Sequence, residues 1–116
     1  MRIVITVDPY IPVPPRLYGG IERVVGQLVD GLAARGHDVT LFAHPESSAP
    51  ARLRAYGAPP HTGSVRRARE LVQVGAGLLG EWRNADIVHS FGRLAALLPI
   101  LPIRTLPKIQ SYGRTI

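Results

Sequence analysis

The segment RIVITV, residues 2–7, constrains the fold more than any other stretch of this chain. After its opening arginine it is a continuous apolar and β-branched run, not an alternation of apolar and polar residues. Such a run marks a strand buried on both faces, the situation of a central strand in a parallel sheet. A parallel neighbour cannot be reached by a hairpin and needs a crossover, usually a helix. The chain supplies one. Apolar residues at Ile21, Val24, Val25, Leu28, Val29, Leu32 and Ala33 follow the i, i+3, i+4, i+7 spacing of an amphipathic helix. Gly36 then offers the left-handed residue that commonly ends a helix, and DVTLFA, residues 38–43, reads as a second strand. Strand, helix and strand within residues 2–43 make one βαβ unit with a right-handed crossover.

The pattern recurs more loosely downstream. HPESSAPARLRAYGAPPHTG is rich in turn residues, with room for a short helix or strand around Arg52–Tyr56. SVRRARELVQVGAGLLGEWRN predicts a second helix, capped by Ser64, with Val65, Ala68, Leu71, Val72, Leu79 and Trp82 on or near one face. ADIVHSF is a third strand, GRLAALLPI a short helix, and PKIQSYG, residues 107–113, a fourth strand. No repeat or linker interrupts the series. The expectation is one α/β domain over residues 1–116, an open, doubly wound, Rossmann-like parallel sheet.

Composition narrows the function classes. The chain has no cysteine, so neither a disulfide framework nor thiolate chemistry is available. Its four histidines are far apart, without metal-ligand spacing, so no metal site is expected. The net charge of +6 suits an anionic partner, and thirteen of the fourteen Lys and Arg residues are arginine. The arginines are scattered, with no aromatic residues among them and no finger, RRM or helix-turn-helix signature, which argues against nucleic acid. Only VRRARE concentrates charge. Arg66, Arg67 and Arg69 there fit either a solvated face or an anionic membrane surface, with Leu78, Leu79 and Trp82 shallowly inserted. The longest apolar run, LAALLPILPI, is broken by Pro99 and Pro102 and falls short of the roughly 20 residues a membrane span needs. The opening residues are too brief for a signal-peptide core. The place of action expected is the cytoplasm, with peripheral association at the inner membrane face as the alternative.

In open parallel sheets, ligands bind beyond the carboxyl ends of the strands. On that rim the sequence sets Gly19 and Gly20, then His44, then His89 and Ser90, then Tyr112, Gly113 and Arg114. Thirteen residues, Asp8 to Gly20, with four prolines, connect the first strand to its helix, and loops of that length beside a central strand are commonly functional. No Ser, Thr, Asp or Asn caps the helix that follows. Its bare first-turn N–H groups and positive dipole end favour an anion, and the two glycines allow close approach to the backbone. A tight turn alone would also account for the Gly19-Gly20 pair, and Glu22 already complements the dipole. Neither G-x-x-x-x-G-K-[ST] nor G-x-G-x-x-G is present, so the common nucleotide fingerprints do not apply. His89 suits general acid/base work or a hydrogen bond to a sugar hydroxyl; a histidine paired with a nearby carbonyl is the alternative. Ser90 lacks the flanking glycine of a nucleophile elbow.

In order, these residues resemble a known family. MRIVITVDPYIPVPPRLYGGIERVVGQLVDGLAARGHDVTLFA is similar to the opening of family-four glycosyltransferases of the GT-B fold. The shared marks are the first strand, the proline-bearing loop, the YGGIER junction, the RGH.VTLFA passage and ADIVHS. The resemblance implies retaining transfer of a sugar from a nucleotide-sugar donor, with no further cofactor. It implies an N-terminal domain on the acceptor side and a C-terminal domain that holds the nucleotide. By position, Gly19 and Gly20 would lie near the donor's phosphates and the transferred sugar, while His89 and its neighbours would line the acceptor side. Many members carry His-x-His at the end of the DIVH strand; here the run is His89-Ser90-Phe91, without the second histidine.

The chain stops at Ile116, before the further strands and the nucleotide-binding domain with paired glutamates that the family implies. The expectation is therefore a truncated N-terminal part, incomplete at its C-terminus and inactive alone. An unpaired last strand would further favour a homodimer through the sheet edge. The competing expectation is a non-catalytic module that binds phosphate, a nucleotide or a partner chain at the Gly19-Gly20 helix end.

Overall fold

The computed structural model describes residues 1–7, 13, 20–45, 47–55, 64–91, 97, 100, 102–103 and 106–111, and the side chains of 64–71 lie outside that description. Among the described residues, strands β1 (Arg2–Thr6), β2 (Asp38–Ala43), β3 (Arg52–Ala55), β4 (Ile87–Ser90) and β5 (Lys108–Gln110) form one sheet in the order β3-β2-β1-β4-β5. Every pairing is parallel. The short segment around residue 52 is a strand, so the PKIQ segment is the fifth strand, not the fourth. Helices α1 (Gly20–Ala34) and α2 (Ser64–Glu81) provide crossovers, and a single 3-10 turn, Trp82–Asn84, follows α2.

Residue parity divides the core into two layers. Ile3, Ile5 and Val7 of the β1 segment join Val39, Leu41 and Ala43 under Val25 and Val29 of α1. The intervening Val4 joins Phe42 and Val88 under Val74 and Leu78 of α2. The two helices therefore cover opposite faces, as a doubly wound sheet requires, and residues 3–7 do not alternate with exposed polar ones because both faces of the strand are covered. Backbone bonds carry the ladders beyond the strand ends: Val7 N–H donates to the Phe42 carbonyl at 3.0 Å, and Phe91 N–H to the Thr6 carbonyl at 2.8 Å. At the opposite edge Asp86 fastens β4 to β1. Its Oδ2 accepts from the Arg2 amide at 2.7 Å, and its own amide donates to the Arg2 carbonyl at 2.7 Å. That amide bond, ahead of the Arg2 charge, holds the Asp86 carboxyl below the ordinary carboxylate range.

Gly36 ends α1 with φ of 84°, a backbone conformation that costs other residues about 1–2 kcal/mol. The α1 stripe is rotated slightly from the sequence expectation. Glu22, Val25 and Val29 are buried, whereas Val24 is 53% exposed. The correction for α2 is larger. Val72 and Leu79, expected on the covered face, are 70% and 50% exposed, whereas Val74, Leu78 and Glu81 are buried. Gly77 explains the rotation, because the absence of a side chain there lets the Phe42 ring sit directly against the helix backbone. Leu78 is thus committed to the core, which removes it from the residues expected at a lipid surface, and the half-buried Trp82 packs against that core. Ser64 capping, Val65, Ala68, Leu71 and the Arg66, Arg67 and Arg69 side chains lie outside the described residues. The expected helix over 92–100 does too, apart from Leu97 and Ile100, which are buried in the α2-side core. Among the described residues, no helix is long and apolar enough to cross a membrane.

The edge strand β3 is tied to α2 by charge. Glu81, 7% exposed, accepts from Arg52 at 2.8 Å and from Arg54 at 2.6 Å. Arg52 also donates to Thr40 Oγ1 at 3.1 Å, and Arg54 lies 5.5 Å from the Phe42 ring centre. Two glycines of α2 make opposite predictions. An added Cβ at Gly77 would overlap the Phe42 ring, with Cζ at 2.9 Å, so Gly77→Ala should cost about 1–3 kcal/mol. At Gly80 nothing lies within 4 Å, and Gly80→Ala should gain up to about 1 kcal/mol of helix propensity. Denaturant melts of the two variants check this pair; equal stabilities would contradict the packing of α2 on Phe42.

Candidate functional site

The site begins where α1 starts. Gly20 is exposed, and the position a Cβ would take has no atom within 4 Å. A side chain could therefore be added at the start of α1 without meeting any of the described residues. Glu22 sits in this turn, but its side chain is buried in line with Val25 and Val29, on the sheet side of the helix. The long loop before α1 is described at one point. Val13 is fully buried, its amide donates to Ser47 Oγ at 3.0 Å, and its carbonyl accepts from the Ser48 amide at 2.7 Å. The middle of the loop is thereby held against the segment that follows β2. Gly19 lies outside the described residues.

His89 comes from the third position of β4. Register with Ile5 turns its side chain to the face covered by α1, the same face that begins at Gly20. Its Nε2 is 2.7 Å from Ser111 Oγ, and Phe91 stacks on the ring with centroids 4.2 Å apart and planes at 25°. Burial lowers the His89 pKa below the ordinary imidazole value. A neutral imidazole at pH 7 presents one donor and one acceptor, which suits a hydroxyl better than a phosphate.

Ser90, adjacent in sequence, does not share that place. Alternation along the strand turns it to the α2 face, where it is fully buried beside Thr6, its register partner. Among the described residues neither Ser90 Oγ nor Thr6 Oγ1 has a hydrogen-bond partner. Tyr112 and Arg114 lie outside the described residues. Gly20 and His89 are thus brought to one face, and Ser90 is separated from them by the thickness of the sheet. His44 follows β2 and is half-buried. Among the described residues, no three His, Cys, Asp or Glu side chains group as metal ligands would.

Two features escaped the sequence reading. Ser111 follows β5, and its amide donates to the Ser90 carbonyl at 2.9 Å, extending the β4–β5 ladder by one residue. The pairing of Ile109 with His89 puts Ser111 diagonally across from the imidazole. Seeing this from sequence requires the register of two strands separated by seventeen residues, which no local pattern supplies. The second feature is a cavity of about 320 Å³ on the other face, lined by Phe42, Arg54, Ala55, Gln73, Ala76 and Gly77.

Comparison with protein families gives a match to Glycosyltransferase Family 4 over residues 18–112. That span takes in the α1 N-terminus, all of β2 to β5, His89 and Ser111. Comparison with curated proteins gives no match.

His89 makes a pH prediction. Its folded-state pKa lies below the unfolded value near 6.5, so the unfolded chain takes up the proton first as pH falls. Stability should be unaffected above about pH 6.5 and decline as pH drops through the window between the unfolded and folded values. Denaturant melts from pH 7.5 to 5 should therefore slope more steeply for the native chain than for His89→Gln. Identical slopes would mean that His89 is not desolvated.

Proposed function

The chain belongs to glycosyltransferase family 4, and from that membership we propose that it forms the acceptor-side half of a retaining glycosyltransferase. The enzyme would move a sugar from a nucleotide-sugar donor to an acceptor hydroxyl, with the nucleotide held mainly by a second domain. The observation that supports this reading is an exposed Gly20 at the start of α1, where an added Cβ meets nothing within 4 Å, together with His89 on the sheet face that α1 covers.

The chemistry follows from where charge develops. In the transfer, the bond from the sugar's anomeric carbon to the diphosphate oxygen breaks, and the diphosphate leaves with the electron pair. The acceptor oxygen bonds to that carbon, with net retention of its configuration, and its proton passes to the departing diphosphate. Negative charge therefore grows on the diphosphate. Backbone N–H groups already aimed at that position need no reorganisation during the reaction and stabilise the transition state more than the ground state. Gly20, with Gly19 before it, offers such groups without a side chain to hold the phosphates away. His89, kept neutral by burial, can exchange hydrogen bonds with a hydroxyl of the acceptor or transferred sugar. Phe91, standing where many relatives have a second histidine, contributes an apolar wall against the imidazole instead.

Gly20 allows a clean test, since its φ is not positive and an added Cβ there would meet nothing within 4 Å. Gly20→Leu should fold with native stability. In the enzyme assembled with its nucleotide-sugar domain, the variant should lose about ten- to a hundredfold in kcat/KM for the donor. Donor turnover unchanged in Gly20→Leu would overturn the reading. Phosphate binding that persists at the helix end with no sugar transfer would favour a non-catalytic module.

A further inference from the structure

We propose that Ser111 is a positioning residue for His89: it occupies Nε2 and leaves Nδ1 as the ring nitrogen that meets the substrate hydroxyl. The inference rests on the reading of His89 as a sugar-facing or acceptor-facing group. Its geometric basis is independent of that reading.

Three contacts restrict the imidazole. The β4 backbone holds its Cα in register with Ile5 of β1 and Ile109 of β5. Phe91 lies against one ring face at 4.2 Å, which opposes rotation of the ring out of its plane. Ser111 Oγ, at 2.7 Å from Nε2, removes the remaining freedom, the twofold flip that would exchange the two nitrogens. Ser111 can do this because it is itself fixed by the backbone. Its amide bonds the Ser90 carbonyl at 2.9 Å, and its carbonyl accepts from the Gln110 side-chain amide at 3.2 Å.

A serine hydroxyl can donate to a bare Nε2 or accept from a protonated one. In either case Nε2 is engaged. Among the described residues Nδ1 has no hydrogen-bond partner. The ring orientation is thereby fixed, and Nδ1 is the nitrogen left for a substrate, in the protonation state complementary to that of Nε2. A substrate hydroxyl, which both donates and accepts, can pair with either form, so the positioning concerns which nitrogen faces the substrate and not which of them carries the proton. The sequence-adjacent Ser90 cannot perform this task, since it points through the sheet to the α2 face.

The test pairs a spectroscopic readout with turnover. In the full chain labelled with 13C and 15N, side-chain couplings and ring NOEs above pH 7 should report one orientation of the His89 ring. Ser111→Ala should average the two flip-related orientations, and Ser111→Thr, which keeps the hydroxyl, should restore the single one. In the assembled enzyme, Ser111→Ala should lower kcat/KM about tenfold, the loss of one hydrogen bond's worth of orientation, with Ser111→Thr recovering most of it. An unchanged His89 ring orientation in Ser111→Ala overturns the proposal. So does a loss of turnover in Ser111→Ala that Ser111→Thr fails to recover, since that pattern belongs to general disruption. His89→Ala separates the underlying functional reading: if it transfers sugar normally, the role given to His89 fails even where the ring orientation behaves as expected.

Discussion

The parallel ladder that joins β1 to β2 and β4 sets everything else in this molecule. Its register decides which side chains face α1 and which face α2, and the alternation leaves no intermediate choice. A slip of one residue between β1 and β4 would move His89 to the α2 face and Ser90 to the α1 face. The Asp86 clamp on Arg2 guards against that slip at one end, and the Phe91 amide bonded to the Thr6 carbonyl does so at the other. Both faces of β1 are buried, so a slip would also dismantle two cores at once. The chemistry of the rim is therefore inherited from the packing beneath it.

The two faces are stabilised differently. On the α1 side the layer is aliphatic, built on Ile5, Val25, Val29 and Leu41, and ends in the imidazole, the Phe91 ring and the Ser111 hydroxyl. On the α2 side the aliphatic centre is bordered by polar groups: the Glu81 carboxylate with two arginines at one edge, and the Thr6 and Ser90 hydroxyls in the middle. The guanidinium groups remain substantially exposed, so water screens the ion pairs, and their effect on stability is modest. Their more definite effect is on the sheet. Charged side chains along the short edge strand β3 discourage pairing with another chain.

Much of this was legible in the residues. The buried run of β1 announced a parallel sheet, Gly36 marked the end of α1, and DVTLFA matched β2 at both bounds. These features are local, and each has one dominant cause. β3 was ambiguous because RLRA alternates charge with small or apolar residues, and its partners, Glu81 and Thr40, come from elsewhere in the chain. The face of α2 was misread for a similar reason. Hydrophobicity alone favoured Val72 and Leu79, while the contact that orients the helix is made by a glycine, which carries no hydrophobic signal. The split between His89 and Ser90 was available from the two-residue period of a strand. Ser111 was not, because its role exists only once β5 is registered on β4. Gly19, Tyr112 and Arg114 lie outside the described residues, so the site is described through Gly20, His89, Phe91 and Ser111.

The central claim is that the opening turn of α1 seats the donor's diphosphate on the face that also carries His89. The most direct measurement is a map of backbone amide shifts as a nucleoside diphosphate sugar is added to the domain paired with its nucleotide-binding partner. The account predicts shifts concentrated at Gly20, Ile21 and His89, with Phe42, Gln73 and Ser90 on the other face unmoved. Shifts centred on the Phe42–Arg54–Gln73 cavity, with Gly20 silent, would contradict it.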